Sequence, residues 1–341
     1  MPEPTAFGRR PPAGRRASLG VHRFAVVTAC ATLLLIVAGG LVTSTDSGLS
    51  VPDWPTTYGS SMWTFPLSKM VGGIRYEHTH RLIASAVGVL TLILAFLLWR
   101  FESPRWVRRL GYLAVLAVVA QGVLGGMTVL FMLPTWISVP HACLAQVFFC
   151  LTVAIAVVTS PRWAETTPAE LRAAFSRTPV ARMSLVAACA IFLQLVLGAV
   201  MRHTKAGLAI PDFPLAFGRL VPPLTTAAVR IHFAHRVVGA CVAVLVAGCT
   251  IRAFRTRTER HGLRRAALLL CGLIVVQISL GAATVLSGRA VGFTTAHVAV
   301  GALLMAGTLV LGLSSLAVEG RKNNVVPIRR AHAAGRASGW K

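Results

Sequence analysis

The residues best suited to chemistry in this 341-residue chain are four of its ten histidines, which occur as two copies of one pattern. His80 ends the segment Glu-His-Thr-His and returns as His235 in His-Phe-Ala-His. His141 in Pro-His-Ala returns as His297 in Ala-His-Val. An apolar stretch begins at each of the four, so we expect each histidine to open a helix.

Paired imidazoles at one depth on two helices can hold a flat ligand between them, as haem iron is held by two axial histidines. Zinc is less well matched, because it takes three or four ligands and only Glu77 stands nearby, in one copy. The plain alternative is a set of interfacial histidines at helix starts. The repeated placement favours one haem between His80 and His141 and a second between His235 and His297.

An arginine directly follows the first histidine of each pair, Arg81 after His80 and Arg236 after His235. A guanidinium at the outer edge of a haem pocket can bind a propionate carboxylate with two hydrogen bonds. The alternative is an arginine that extends to the lipid headgroups. The matching positions favour propionate binding by Arg81 and Arg236.

The two copies differ three residues before the first histidine, where Glu77 corresponds to His232. On a helix, Glu77 and His80 share a face, so this carboxylate can act as a general base beside the ligand in the first copy only. A helix-start acid favoured by the helix dipole, or a hydrogen-bond partner of the ligating histidine, is the alternative. The difference favours catalysis by Glu77.

The elements that must position these residues are helices in a membrane. The chain is 55% hydrophobic and 13% charged, against about 25% charged residues in soluble proteins, and a helix needs about 20 apolar residues to span. The fold class predicted is all-α integral membrane, with eight transmembrane helices as two pseudo-symmetric four-helix bundles. The predicted spans are 22–43, 79–99, 109–131, 139–159, 180–201, 233–252, 264–286 and 294–316.

The net charge of +24 does not indicate a nucleic-acid-binding protein, because the basic residues fall in short segments between the apolar runs. That pattern marks the topology of a membrane protein. With these spans, 25 of the 34 lysines and arginines fall on one side of the membrane, which predicts that both termini are cytoplasmic and the loops 44–78 and 202–232 face outward. The seven cysteines lie in apolar stretches without a Cys-x-x-Cys. They indicate neither a disulfide framework nor a metal cluster.

The repeat extends beyond the histidines. The segment Gly-Leu-Ser-Val-Pro-Asp-Trp-Pro at 48–55 returns as Gly-Leu-Ala-Ile-Pro-Asp-Phe-Pro at 207–214, and Gln121 with Gly125 returns as Gln277 with Gly281. Four matched blocks in one order predict two bundles related by an axis along the membrane normal. The expected units are a basic cytoplasmic tail, the first bundle, a cytoplasmic linker, the second bundle and a second basic cytoplasmic tail, at 1–21, 22–159, 160–179, 180–316 and 317–341.

Four motifs together resemble the haem A synthase family: Gly-Gly-Leu-Val at 39–42, Ser-Gly-Leu-Ser at 47–50, Pro-Asp-Trp-Pro at 52–55 and Glu77-x-x-His80-Arg81. The resemblance covers roughly residues 20–316. It implies an oxidoreductase in the cell membrane that converts a methyl group of haem O to the formyl group of haem A for terminal oxidases. The implied route is successive hydroxylation to a gem-diol, which loses water.

Carried over residue by residue, the resemblance implies that His80 and His141 bind the substrate haem O in a catalytic first bundle. His235 and His297 then bind haem b in the second bundle, and Glu77 is the acidic residue used in catalysis. Haem O and membrane lipid are the implied partners. Contact with haem O synthase, a quinone or other electron acceptor, and a homo-oligomer are compatible with the sequence and are left open.

Many bacterial members carry a cysteine pair in the first outer loop, and residues 44–78 contain none. A thiol role in electron transfer is therefore not expected at that loop. Two other function classes compete with the synthase. A di-haem b electron carrier usually needs cofactors at two depths, and a transporter with parallel repeats needs broken helices and polar residues at the midplane.

Overall fold

The computed structural model describes residues 19–161, 163, 168–255 and 261–337, and this part of the chain is helical without a named strand. Eight of its helices are long and apolar enough to cross a membrane, which confirms the predicted all-α membrane class. The ninth, α5, is short and lies within the predicted linker. The helices are α1 Leu19–Ser44, α2 Gly73–Phe101, α3 Arg105–Leu130, α4 Thr135–Val158, α5 Pro168–Arg177, α6 Pro179–His203, α7 Ala227–Arg255, α8 His261–Leu286 and α9 Val291–Ala337.

The predicted ends of the chain compare differently with the structure. The predicted tail 1–21 lies outside the described residues except for 19–21, and so does part of the predicted linker 160–179. At the other end, α9 runs past the predicted limit of 316 to Ala337. The apolar run marks only the part of this helix that suits lipid, whereas the backbone hydrogen bonds continue into the basic segment.

The histidines lie inside their helices, and the prediction that they open them is wrong. His80 comes seven residues after the start of α2, and His297 six residues after the start of α9, or about two helical turns. His141 and His235 are placed similarly in α4 and α7. The polar residues before the apolar runs of α2 and α7 are already helical, and α4 and α9 begin at Thr135 and Val291, before their predicted spans. The four histidines nevertheless stay at corresponding heights.

Each bundle has its own apolar core. In the first bundle, α1 to α4 pack around buried Val87, Leu94 and Ile155. In the second, α6 to α9 pack around residues that include Val246 and Leu311. Van der Waals packing of such side chains at close helix contacts holds each bundle together in lipid.

The two bundles meet along a seam formed by α1 and α4 on one side and α6 and α9 on the other. Its centre contains Ile36, Phe149, Ala302 and Ala306. The alanines of α9 allow its backbone to approach α1 and α4 closely. The outer ends of all four seam helices therefore lie near one another.

The repeat includes the outer loops. Both contain a cis peptide bond, Trp54–Pro55 and Phe213–Pro214. In the first loop, Asp53 accepts hydrogen bonds from the amides of Tyr58 at 2.8 Å and Gly59 at 2.9 Å. In the second, Asp212 accepts the corresponding pair from residues 217 and 218, each at 2.8 Å. Each aspartate thus closes a tight turn over its bundle.

These hydrogen bonds set the charge of Asp53. Partial burial raises the pKa of this carboxyl, but hydrogen bonds from Gly59, Thr56 and Tyr58 together lower it further, from 3.8 to about 2. Because the pKa is lowered in the folded loop, the carboxylate stabilises the turn above pH 4. That contribution is lost as the pH falls from about 4 towards 2.

We expect Asp53→Asn to loosen this turn at neutral pH. An amide has one acceptor oxygen, so one charge-assisted hydrogen bond is lost at a cost on the order of 1.5 kcal/mol. Hydrogen exchange of the Tyr58 and Gly59 amides should become roughly tenfold faster. Asp46→Asn is the matched control, because Asp46 is exposed in the same loop and its carboxylate lies near Arg202 and, at 3.9 Å, near Arg289 instead of at the turn amides. Equal exchange in both variants would contradict this account.

Candidate functional site

Each of the four histidines packs its ring against a glycine of the preceding helix. A Cβ atom built on any of these glycines would lie 3.1 to 3.2 Å from the Cε1 atom of the histidine, tighter than ordinary van der Waals contact. The glycines thus allow the rings to lie directly on a helix backbone. The four contacts are Gly39 with His80, Gly125 with His141, Gly198 with His235 and Gly281 with His297.

The structure brings the histidines together in the predicted pairs. His80 lies close enough to His141 for their charges to interact, and His235 is related to His297 in the same way. Among the described residues, no group of three or more His, Cys, Asp or Glu side chains comes together as a metal site.

The ring nitrogens fit a group bound between two imidazoles. Nδ1 of His297 lies 3.2 Å from the carbonyl oxygen of Gln277, and the equivalent carbonyl groups lie beside the other three rings, that of Leu35 at His80, Gln121 at His141 and Gln194 at His235. The four residues are only half-buried as a whole, so other atoms of each residue remain accessible. Nε2 is the nitrogen available for coordination at His80 and His141, as two axial ligands of haem iron require.

Glutamine side chains distinguish the second pair from the first. Nε2 of Gln194 lies 3.1 Å from Nε2 of His235 and donates to the His235 carbonyl oxygen at 2.9 Å. Nε2 of Gln277 lies 3.5 Å from Nε2 of His297. The residue that corresponds to Gln194 in the first half is Leu35. The polar contact at His235 is therefore specific to the second half.

Two more glycines make room for these amides. A Cβ atom on Gly239 would lie 3.1 Å from Nε2 of Gln194, and one on Gly301 would lie 3.2 Å from Nε2 of Gln277. The corresponding first-half residues are Ala84 and Ala145. Sequence reasoning missed this arrangement, although a glutamine four residues before the histidine-contacting glycine was a visible signal.

Arg81 and Arg236 both hold an outer loop by its carbonyl groups. Arg81 donates to the carbonyl oxygens of residues 51, 53 and 56 at 2.7 to 3.0 Å. Arg236 donates to those of residues 210, 212 and 215 at 2.7 to 3.1 Å. The three acceptors correspond one by one in the repeat. Sequence reasoning missed this contact, because carbonyl acceptors leave no mark on residue type, and propionate binding stays a prediction.

Glu77 and His232 occupy equivalent places and accept equivalent hydrogen bonds. The amide of Val51 donates to Oε2 of Glu77 at 2.8 Å, and the amide of Ile210 donates to Nδ1 of His232 at 3.2 Å. Glu77 is 3% exposed, and its Oε1 accepts from Nη2 of Arg81 at 2.7 Å. The buried ion pair thus exists in the first half only, where it ties the loop to α2.

The first loop also places an aromatic ring beside the first histidine pair. The ring of Trp54 lies where a Cβ atom on Gly126 would be, at 2.5 Å from that position. Gly126 is next to Gly125, on which His141 packs. Residue 282, the counterpart of Gly126, is alanine, so the space that Gly126 leaves for an aromatic ring belongs to the first half.

The fold and the site together define a class: a polytopic helical membrane protein of two repeated four-helix bundles, each with two histidines whose rings pack against glycines. Comparison with known proteins narrows this class. The profile of the family described as cytochrome oxidase assembly protein matches residues 22–70 and 62–309. The chain belongs to that family.

Its relatives carry a common name. A protein named Heme A synthase from Halalkalibacterium halodurans is 29% identical over 271 residues, which cover 78% of this chain and 87% of the relative. One of the same name from Symbiobacterium thermophilum is 32% identical, covering 73% and 80%. Another, from Rhodopseudomonas palustris, is 28% identical, covering 91% of each chain.

We expect Gly281→Ala to disturb the second histidine pair. The new methyl group would press on Cε1 of His297 at 3.1 Å, so the ring must shift by a few tenths of an ångström. The low-spin haem absorbance of the purified protein should fall. Gly272→Ala is the matched control, because it lies in the same helix with nothing within 4 Å of the added atom. If both variants keep the haem spectrum of the unsubstituted protein, the contact with Gly281 does not position His297.

Proposed function

We propose that this chain is a haem A synthase, a membrane oxidoreductase that oxidises a methyl group of haem O to the formyl group of haem A. Membership of the cytochrome oxidase assembly family and relatives named Heme A synthase support this function. The observation that supports it most directly is that each bundle has a pair of histidines packed on glycines, and that Glu77 stands beside the first pair only. Such a difference suits one site for substrate and one for a resident cofactor.

The first bundle is the substrate site. Nε2 of His80 and Nε2 of His141 bind the iron of haem O from opposite faces, and the helix glycines fix the two rings. The porphyrin then lies among the apolar side chains of α1 to α4. Substrate held by two helices of one rigid bundle presents the same methyl group for each oxidation.

His235 and His297 would hold haem b in the second bundle, where it would supply one-electron transfer. Because Nε2 of each ring would bind the iron, the amides of Gln194 and Gln277, which lie 3.1 Å and 3.5 Å from these atoms, would turn away when haem b binds. The carbonyl oxygen of Gln277, 3.2 Å from Nδ1 of His297, would keep that ring oriented, as polar contacts to the other nitrogen of a ligating histidine do.

Glu77 takes up protons in the first bundle. It lies one turn before His80 on α2 and is the acid that the second half lacks. Two successive hydroxylations of the methyl group give a gem-diol, which loses water to form the aldehyde. Each hydroxylation takes its oxygen atom from water, passes two electrons to an acceptor and releases two protons, so the reaction needs a nearby base and an electron acceptor. The acceptor is a quinone or another membrane electron carrier.

The protein is a multi-pass membrane protein, and we place it in the cell membrane with both termini in the cytoplasm. The excess of basic residues at that side supports this orientation. The histidine sites then lie near the outer face. Delivery of haem O by a haem O synthase that docks in the membrane, and a homo-oligomer, are compatible with this arrangement.

A di-haem b electron carrier is the competing function, and the sites argue against it. Both histidine pairs lie at corresponding heights, so an electron moved between them would stay on one side of the membrane. The differences at Glu77, Leu35 and Ala84 also leave the two sites unlike one another. Two identical resident haems would need no such differences.

Replacement of Glu77 by Gln should stop formyl formation while haem binding is kept. The amide oxygen of Gln can still accept from the Val51 amide, so the loop stays attached, whereas the proton acceptor is lost. General-base catalysis is worth about 10²- to 10⁴-fold. Haem A formed from haem O is measured by chromatography of the extracted haems, and a normal yield of haem A from this variant would reject the role of Glu77.

Arg81→Gln separates catalysis from loop attachment. This variant keeps the Glu77 carboxylate but loses the hydrogen bonds to three loop carbonyls. Proteolytic cleavage within residues 45–72 reports whether the loop is released. If Glu77→Gln releases the loop as much as Arg81→Gln and both lose the same activity, then Glu77 acts by holding the loop and not by taking protons.

His297→Ala should remove the low-spin haem b signal while the first bundle still binds haem O. A haem with one axial histidine loses its low-spin spectrum, and the absorbance and electron paramagnetic resonance of the purified protein report this. The matched variant is His141→Ala, which should keep haem b and lose haem O. An unchanged haem b spectrum in His297→Ala would exclude His297 as a ligand.

A further inference from the structure

We propose that Arg202 and His203, which end α6 of the second bundle, bind a propionate carboxylate of the haem in the first bundle. This proposal rests on the proposed function and adds a substrate contact that crosses the seam. The first site is then incomplete without the second bundle. This contact would come in addition to the propionate contact predicted for Arg81 in the first half.

The end of α6 is attached to both seam helices of the first bundle. Nη2 of Arg202 donates to Oγ of Ser44, at the end of α1, at 3.2 Å. Oγ1 of Thr135, at the start of α4, donates to the carbonyl oxygen of His203 at 3.4 Å. Both side chains at the end of α6 are half-buried. They therefore lie over the outer end of the first bundle and not in open solvent.

These groups lie directly outside the first histidine pair. Ser44 is five residues beyond Gly39, on which His80 packs, and Thr135 is six residues before His141, so both are about 7 to 9 Å outside the histidines. His203 is also near enough to His141 for their charges to interact. A haem held by His80 and His141 presents its charged edge towards water, because carboxylates are costly to bury in lipid.

The charges at this end of the seam favour the binding of an anion. Arg202 interacts with the like charge of Arg289 and with the opposite charge of Asp46. Asp46 is exposed, and its carboxylate is 3.9 Å from Arg289. One exposed carboxylate therefore stands beside two arginines. A propionate carboxylate at Arg202 would replace a neutral hydroxyl partner by a charged one that can accept two parallel N–H bonds from the guanidinium.

Arg202 and His203 are not part of the repeated scaffold. Their counterparts on α1 are Thr43 and Ser44, and Oγ1 of Thr43 only returns to the carbonyl oxygen of Gly39 in its own helix, at 3.0 Å. The loop-holding arginines of the repeat, by contrast, are matched in both halves. A cationic pair present once, at the site that we assign to substrate, fits substrate recognition.

The test compares haem O with its dimethyl ester, in which both propionates are uncharged. The full-length protein, purified with its haem b, is titrated with each compound and binding is followed by difference absorbance. We expect the unsubstituted protein to prefer haem O at least tenfold. Arg202→Gln and His203→Ala should each lose most of that preference, and Arg202→Lys should keep part of it. Lys205 is an exposed cation two residues after His203, and Lys205→Gln should keep all of the preference.

The retained haem b band shows that a variant is folded, and if Arg202→Gln loses it, Arg202→Lys and His203→Ala decide the question. An unchanged preference for haem O in these variants would overturn the proposal. Weaker haem b binding with that preference intact would overturn it as well, because the cations would then serve the second site, where Gly198 lies one turn before Arg202. If the unsubstituted protein binds neither compound, the proposed function itself fails.

Discussion

The contact of a histidine ring with a bare helix backbone determines the geometry of both sites. A ring can lie this close only where the neighbouring helix has no side chain, and the chain provides Gly39, Gly125, Gly198 and Gly281 at the four places. Each contact fixes the spacing of one helix pair. Because side chains in lipid gain little from hydrophobic burial between helices, such close packing is what holds the imidazoles in facing positions.

On this common scaffold, several differences between the two halves lie around the histidines. In the first half, a buried carboxylate, Glu77, is tied to an arginine and to the loop, and Trp54 packs beside the site. In the second half, His232 accepts a hydrogen bond from the corresponding loop amide, that of Ile210, and Gln194 contacts His235. One duplicated bundle has thus become a site with a base, and the other a site with fixed polar contacts.

The sequence predicts the membrane class, the eight spans and the pairing of histidines, because apolar runs and a repeat are visible in residue types. It does not predict where α2 and α7 begin, since polar residues such as Arg75 and Arg230 are helical without being apolar. The loop-holding role of Arg236 was also hidden, because its partners are backbone carbonyls. The contact of His203 with the first bundle depends on the packing of two repeats, which no local pattern records.

The central claim is that one bundle binds a substrate haem and the other a resident haem. The most direct measurement is the identity and number of haems extracted from the purified full-length protein, by chromatography and pyridine haemochrome spectra. The account predicts haem b together with haem O, haem A or a hydroxylated intermediate. Haem b alone, at two per chain, would contradict it and support an electron carrier.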